Sequence, residues 1–401
     1  MAGVLIIGAG QAAGQAAASL RQEKFEGPIT IVGEEGLPPY QRPPLSKGYL
    51  SGEVGVDKVL VRPSSFYDDK EISLQLNTKA TQINCSSKTV TTDNHQKYEY
   101  DNLIIATGSR PREMNLPGSE LGGIHYLRTV SDVDSIRTEL GSAKKVCIVG
   151  GGYIGLEVAA VAKTIGLEVT VLEMESRILQ RVTTPEMSEY YLGLHTSKGV
   201  RILCNTRVTS FEGNDSVVRV MCDSESIEAD LVVVGIGILP NVELAQKAGI
   251  KCDNGIMVNE RCQTSQPDVY AAGDCTNHPN PILKKRLRLE SVPNAMEQAR
   301  VVSNNIVGGS KTYESVPWFW SDQYGLKLQM LGFSADGEKS IVRGKKSENE
   351  FAVFYLQESK IVAVDAVNSP KEFMLSKQLY GKVVDPDRLA DSTSDLKKML
   401  E

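Results

Sequence analysis

No two cysteines in this chain stand in a CxxC or CxxxxC spacing. The seven present, at positions 85, 147, 204, 222, 252, 262 and 275, are therefore expected to form neither a zinc site nor a local redox dithiol. No uncharged apolar run approaches the roughly 18 residues of a membrane-spanning helix, and the mean hydropathy is -0.20, so a soluble protein is expected. An excess of positive charge is missing too. Lys and Arg number 44 against 50 Asp and Glu, for a net charge of -6 and a pI near 5.5, the wrong sign for a general nucleic-acid binder. Nothing like a charged signal n-region or a transit peptide precedes the first apolar strand, and a reducing cytoplasm is the expected location.

Glycine is what the chain has, 35 residues in 401, and it is organised. Val4-Leu5-Ile6-Ile7 runs into Gly8-Ala9-Gly10-Gln11-Ala12-Ala13-Gly14, then an Ala-rich helical stretch to Arg21 and a strand Ile29-Thr30-Ile31-Val32 ending at Glu34. The pattern recurs 142 residues later, counting Gly8 to Gly150. There Val146-Cys147-Ile148-Val149 runs into Gly150-Gly151-Gly152-Tyr153-Ile154-Gly155, then a helical run from Leu156 to Ile165, then Glu168-Val169-Thr170-Val171-Leu172 ending at Glu173. Each copy reads as the βαβ unit that lets a backbone approach a pyrophosphate at a helix N-terminus. The first glycine makes the tight turn, the second clears space for phosphate, and the third position (Ala13, then Gly155) lets helix pack on strand. The acid follows the first glycine by 26 residues (8 to 34) and 23 residues (150 to 173), near the roughly 20 of a ribose-binding carboxylate.

The repeat extends to two apolar strands that end in small residues, Tyr100 to Gly108, which closes on Ala106-Thr107-Gly108, and Ala229 to Gly237. A third such strand, Val269 to Asp274, follows the second unit without a new glycine turn. The second Rossmann-like unit is therefore expected to be inserted in the first, with Asp274 returning to the first site. From Pro317 the texture changes to Trp318-Phe319-Trp320 and alternating strands, with Ser369 as N-cap of a helix starting at Pro370. The expected fold class is α/β, two Rossmann-like dinucleotide-binding domains plus a C-terminal α+β domain. The expected boundaries are 1–112 with 240–316 for an FAD-binding domain, 113–239 for an NADH-binding domain and 317–401 for the third.

Two nucleotide sites in one chain suggest chemistry that passes between two cofactors, a resident FAD and a nicotinamide that comes and goes. Glu173 favours NADH, because a carboxylate accepts from a ribose 2′-OH and repels a 2′-phosphate; Arg177 nearby acts against that preference.

Several strings carry a family resemblance: Pro43-Pro44-Leu45-Ser46-Lys47, Ala106-Thr107-Gly108, Gly150 to Glu157, Gly273-Asp274, Glu290 to Ala295, and Trp318 to Gln323. In order along nearly the whole chain, they resemble the FAD-dependent NADH:ferredoxin reductases of bacterial oxygenase systems. The resemblance implies electron flow from NADH through FAD, then singly to a small iron-sulfur ferredoxin, expected to be of the [2Fe-2S] type, that feeds an oxygenase. It implies FAD contacts at Gly8, Gly10, Ala12, Ala13, Glu34, Arg42, Lys47, Ala80, Arg128, Asp274 and Val292, with the Ala106-Thr107-Gly108 turn beside them. It implies that Gly152, Ile154, Gly155, Glu173 and Gly237 line the NADH site, with Glu157 and Glu290 near the nicotinamide. Lys47 and Glu157 form the expected pair at the flavin, where a cation stabilises the reduced, anionic ring and a carboxylate keeps it in place. Trp320 is expected beside the flavin on the way out to ferredoxin. The basic run Lys284-Lys285-Arg286-Leu287-Arg288 would speed encounter with an acidic ferredoxin.

Disulfide reductases of the same double fold need a cysteine pair just after the first βαβ unit, and related peroxidases and oxidases need one cysteine there. Between Glu34 and Ser73 there is none, which removes both. Cys275, beside Asp274, reads as a small buried filler. A reductase for rubredoxin or a monodehydroascorbate-type reductase stays open, as does a flavin-bound protein resembling apoptosis-inducing factor, although its long basic insertions are missing.

Overall fold

The computed structural model describes residues 3–399. The chain divides into two compact units: Met1–Arg42, Gly55–Arg110 and Ile238–Pro317 form one, and Pro43–Val54, Pro111–Gly237 and Trp318–Glu401 the other.

In the first unit, all five residues of the strand Gly3–Ile7 are buried, as expected of a parallel strand covered on both faces. It pairs in parallel with Ile29–Val32 on one side and with Lys97–Ile105 on the other. Ile72–Gln75 extends the sheet beyond Ile29–Val32, and Val269–Ala271 joins the far side of Lys97–Ile105. Lys97–Ile105 serves twice, since its first residues also pair antiparallel with Thr89–Thr92, which pairs with Ala80–Asn84. The helix Gln11–Gln22 buries Ala12, Ala13, Ala16 and Ala17. These small side chains let the helix Val292–Ile306 approach until the Ser303 hydroxyl donates to the Ala16 carbonyl at 3.0 Å.

The second unit repeats the plan. Arg201–Leu203, Glu168–Leu172, Lys145–Val149, Leu231–Val234 and Ile124–Tyr126 lie in that order as a parallel sheet. A separate antiparallel meander, Val208–Gly213, Val217–Cys222 and Ser226–Glu228, precedes its closing strand. In the first sheet the strand beside the closing strand is supplied by Val269–Ala271, downstream of the whole second sheet, which is the nesting the sequence order predicts.

The rest of the second unit is an antiparallel sheet in the order Trp318–Gln323, Leu326–Gly332, Lys360–Val367, Glu350–Gln357, Lys339–Lys345. The helix Pro370–Leu379 begins at Pro370, but Ser369 makes no capping bond; its buried hydroxyl turns back to the Val367 carbonyl at 2.9 Å. Among the described residues no helix is long and apolar enough to cross a membrane.

Candidate functional site

The first glycine turn forms an open cradle. Gly8 has a φ of 104°, and a Cβ there would lie 2.2 Å from the Ala106 carbonyl oxygen, so only glycine lets the strand end cross its neighbour. Gly10 is the N-cap of the helix Gln11–Gln22, with no side-chain capping bond, and a Cβ there would meet nothing within 4 Å. Unpaired helix N–H groups beside open space are suited to a phosphate. Ala12 and Ala13 are buried, and Gly273 lies against Ala12. Asp274 accepts from the Ser109 hydroxyl at 2.9 Å. Thr107 and Asn241 exchange hydrogen bonds that close the Ala106-Thr107-Gly108 turn. Arg42 reaches Glu35 at 2.6 Å and the Tyr40 hydroxyl at 2.9 Å. Burial disfavours its charge, but Tyr40, Glu35 and Asp274 more than offset this and hold its pKa above the usual arginine value.

Glu34, expected at a ribose, has a side chain 66% exposed and pairs with Lys79 at 2.6 Å. Its neighbour Glu35 is the acid that faces Arg42 and Tyr40. Ala80 opens the strand Ala80–Asn84, and Val292 is the first residue of its helix, with Ser291 accepting from the Asn294 N–H. Glu290 is exposed and accepts from Arg288 at 2.5 Å. In the basic run, Arg286 donates to the Asn277 side chain and to the Asn277 and Val258 carbonyls, so part of its charge is structural. Cys275 is buried, its thiol pushed up to about 11 by burial, a poor nucleophile at neutral pH.

In the second unit Gly150 repeats Gly8, with a φ of 111° and a Cβ position 2.4 Å from the Gly235 carbonyl oxygen. Gly152 is again an N-cap without a side-chain bond and with nothing within 4 Å of a Cβ. A Cβ on Gly155 would lie 2.1 Å from the Gly150 carbonyl oxygen, so helix and turn are in direct backbone contact. Glu173 accepts from the Gly151 N–H at 2.8 Å and the Glu175 N–H at 2.9 Å, fixing a negative charge at the turn. Arg177 donates to Ser188 at 2.5 Å and to the Gln180 carbonyl at 3.1 Å, which holds it to internal partners. Ile154 is exposed at 44% beside Gly152, and Gly237 carries a φ of 108° after the closing strand. The Arg128 backbone N–H donates to Asp132 at the start of the helix Val130–Leu140.

The same unit brings together Lys47 and Glu157, 110 positions apart. Lys47 Nζ lies 2.8 Å from Glu157 Oε2, with side chains 18% and 5% exposed, and also donates to the Pro43 carbonyl at 3.1 Å. Ser46 donates to the same Oε2 at 2.5 Å, and Ser321 donates to Oε1 at 2.6 Å. Strand alternation explains the last contact. Phe319, Ser321 and Gln323 share one face of Trp318–Gln323, and Phe319 packs on Tyr153, at the start of the helix that carries Glu157, at 4.9 Å. Trp318 and Trp320 share the other face, centroids 5.8 Å apart, and Trp318 also packs on Phe373 with Lys377 Nζ 4.2 Å above its ring.

Residues 2–299 match the family described as pyridine nucleotide-disulphide oxidoreductase, and residues 318–400 match the family described as reductase C-terminal. The chain belongs to the pyridine nucleotide-disulphide oxidoreductase family. It is 41% identical to putidaredoxin reductase CamA of Pseudomonas putida, over 99% of this chain and 96% of that one. It is also 41% identical to the 5,5'-dehydrodivanillate O-demethylase ferredoxin reductase subunit of Sphingobium sp., over 98% and 97%. Among solved structures, the ferredoxin reductase for the CYP199A2 system from Rhodopseudomonas palustris aligns with a TM-score of 0.97, 37% identity and full coverage of both chains. Membership makes this protein an oxidoreductase that works with a flavin and a nicotinamide. The open cradles at Gly10 and Gly152 fit two such nucleotides.

Ser46, Ser321, Gln323 and His195 around Glu157, Glu35 beside Arg42, and Ser109 on Asp274 were not legible as site residues. Ser46 and Ser321 stand inside the PPLSK and WFWSDQ strings, a signal of location but not of role. His195 is a lone histidine on a helix, and nothing in its neighbours points to Gln323, 128 positions away.

Proposed function

We propose that this oxidoreductase takes a hydride from NADH onto FAD and passes electrons singly to an iron-sulfur ferredoxin, of the [2Fe-2S] type, that serves an oxygenase. The observation that carries the reading is the Lys47–Glu157 pair, half-buried at Lys47 and buried at Glu157, in a chain with two glycine cradles and no cysteine between Glu34 and Ser73. A flavin, when bound, accepts two electrons as hydride and releases them one at a time.

The protein's own residues do the rest. Gly8, Gly10, Ala12 and Ala13 leave room for the FAD pyrophosphate at a helix N-terminus, and Arg42, steadied by Glu35 and Tyr40, offers positive charge to it. Glu173 presents a carboxylate suited to a ribose diol and repels a 2′-phosphate, while Arg177 is turned to Ser188 and the Gln180 carbonyl. Lys47 supplies the cation for negative charge accumulating on the flavin ring, and Glu157 with Ser46 orients it. Hydride transfer asks for positioning rather than for a protein acid or base. Trp320 offers an aromatic ring on the way out to ferredoxin, and residues 1–112 with 240–316, 113–239 and 317–401 serve as FAD, NADH and interface domains. Anaerobic titration with NADH tests the first half: the visible flavin absorbance should bleach with NADH and far more slowly with NADPH. Absence of bleaching by either nucleotide would contradict the reading.

A further inference from the structure

Glu157 ends a chain of hydrogen bonds whose direction the carboxylate itself dictates. An ionised carboxylate only accepts, so the Ser321 hydroxyl, 2.6 Å from Oε1, directs its single hydrogen there. Its oxygen is left to accept, and the Gln323 atom 3.1 Å away is then the amide nitrogen. The Gln323 oxygen faces His195 Nε2 at 2.7 Å, so Nε2 carries the imidazole hydrogen. Burial lowers the pKa of His195 more than the Gln323 bond raises it. The ring is therefore neutral, and its Nδ1 accepts from the Tyr324 hydroxyl at 3.4 Å. Four consecutive donors, on Tyr324, His195, Gln323 and Ser321, point one way, toward the anion. Ser321, Gln323 and His195 are buried, where low dielectric lets aligned hydrogen bonds strengthen one another.

We infer that His195 and Gln323 are positioning residues for the reaction: the Gln323 amide, held by His195, donates to the Ser321 oxygen and keeps that hydroxyl within reach of Oε1, and with it the carboxylate that holds Lys47. Without the Ser321 bond the Glu157 carboxylate loses its Oε1 tether and can turn about its last torsion, carrying the Lys47 ammonium with it. The inference rests on the proposed placement of Lys47 at the flavin.

The test uses the holoenzyme, with the flavin midpoint potential and anaerobic reduction by NADH as readouts. His195→Phe should make the potential more negative and slow reduction about tenfold, with the KM for NADH little changed. His195→Gln, whose amide keeps a donor, should recover both. In a Glu157→Gln background, His195→Phe should add nothing. Equal losses in His195→Phe and His195→Gln, or additive losses with Glu157→Gln, would overturn the inference. Nitrogen NMR of the wild-type imidazole tests it without a variant: a neutral ring protonated at Nε2 is expected, and protonation at Nδ1 would overturn it. Lys47→Met separates the two levels. An unchanged potential there removes the reading of Lys47, whereas a shift there with none in His195→Phe removes the inference alone.

Discussion

At Lys47 a nearly buried cation is tolerated because its carboxylate partner is itself held by two serines. Removing one member of such a pair strands the other away from water, a cost of about 3 kcal/mol. Glu157→Gln should therefore lower stability by about that amount in urea unfolding and slow flavin reduction by NADH; an unchanged unfolding midpoint would show the pair to be solvated. Glu173 carries a second residue-scale prediction. Glu173→Ala removes the fixed charge at the second turn, so the ratio of NADPH to NADH kcat/KM should rise about tenfold or more, and an unchanged ratio would remove Glu173 as the selecting group. The Lys47–Glu157 pairing was legible because motif strings mark both members, and the place of Glu173 at the second turn from its spacing after Gly150. Glu34, expected at the first site from its spacing and from the resemblance, carries its side chain mostly in solvent on Lys79, and the adjacent Glu35 is the acid that meets Arg42. Which of the two adjacent acids meets Arg42 depends on backbone direction after the strand, which spacing does not encode.

The glycine turns make a contrast at the scale of the element. A Cβ at Gly152 points into open space, so Gly152→Ala should change stability by no more than about 0.5 kcal/mol while weakening NADH binding about tenfold or more, because the methyl enters the phosphate cradle. Gly155→Ala instead drives a methyl into the Gly150 carbonyl, 2.1 Å away. It should destabilise by about 3 kcal/mol through a displaced helix. Thermal unfolding and NADH affinity of the two variants check this, and equal stability losses would refute the division of roles. The turns were legible because backbone proximity restricts the residue type directly. The N-cap expected of Ser369 was legible as a position but not as a bond, since burial beside Val367 gives its hydroxyl a nearer carbonyl.

Over the whole molecule, pH should act through two buried groups of opposite sign. His278, buried against Tyr313 with Arg286 near, has its pKa lowered to about 4, chiefly by burial. The unfolded chain binds that proton first, so this contribution is complete above about pH 6.5 and is lost as pH falls toward 4. Asp365, buried with Thr183 and Tyr355, is raised to about 6, again by burial. Its contribution is present below about pH 4 and is lost as pH rises through 6. Going from pH 7 to 4.5, His278→Phe should spare the protein about 2 kcal/mol of the loss, and Asp365→Asn should deepen it. Urea unfolding at the two pH values checks both signs. The nesting of one sheet within the other was legible because the glycine turns and closing strands fall in a fixed order. The linkage of Glu157 to Ser321 and His195 was not, because it joins segments that only the folded second unit brings together. Steady-state reduction of purified [2Fe-2S] ferredoxins and of a rubredoxin, with NADH as donor, decides what this protein hands its electrons to. Saturable reduction of a ferredoxin well ahead of rubredoxin is expected; NADH oxidation that no ferredoxin accelerates, or that rubredoxin accelerates more, would overturn the proposed function.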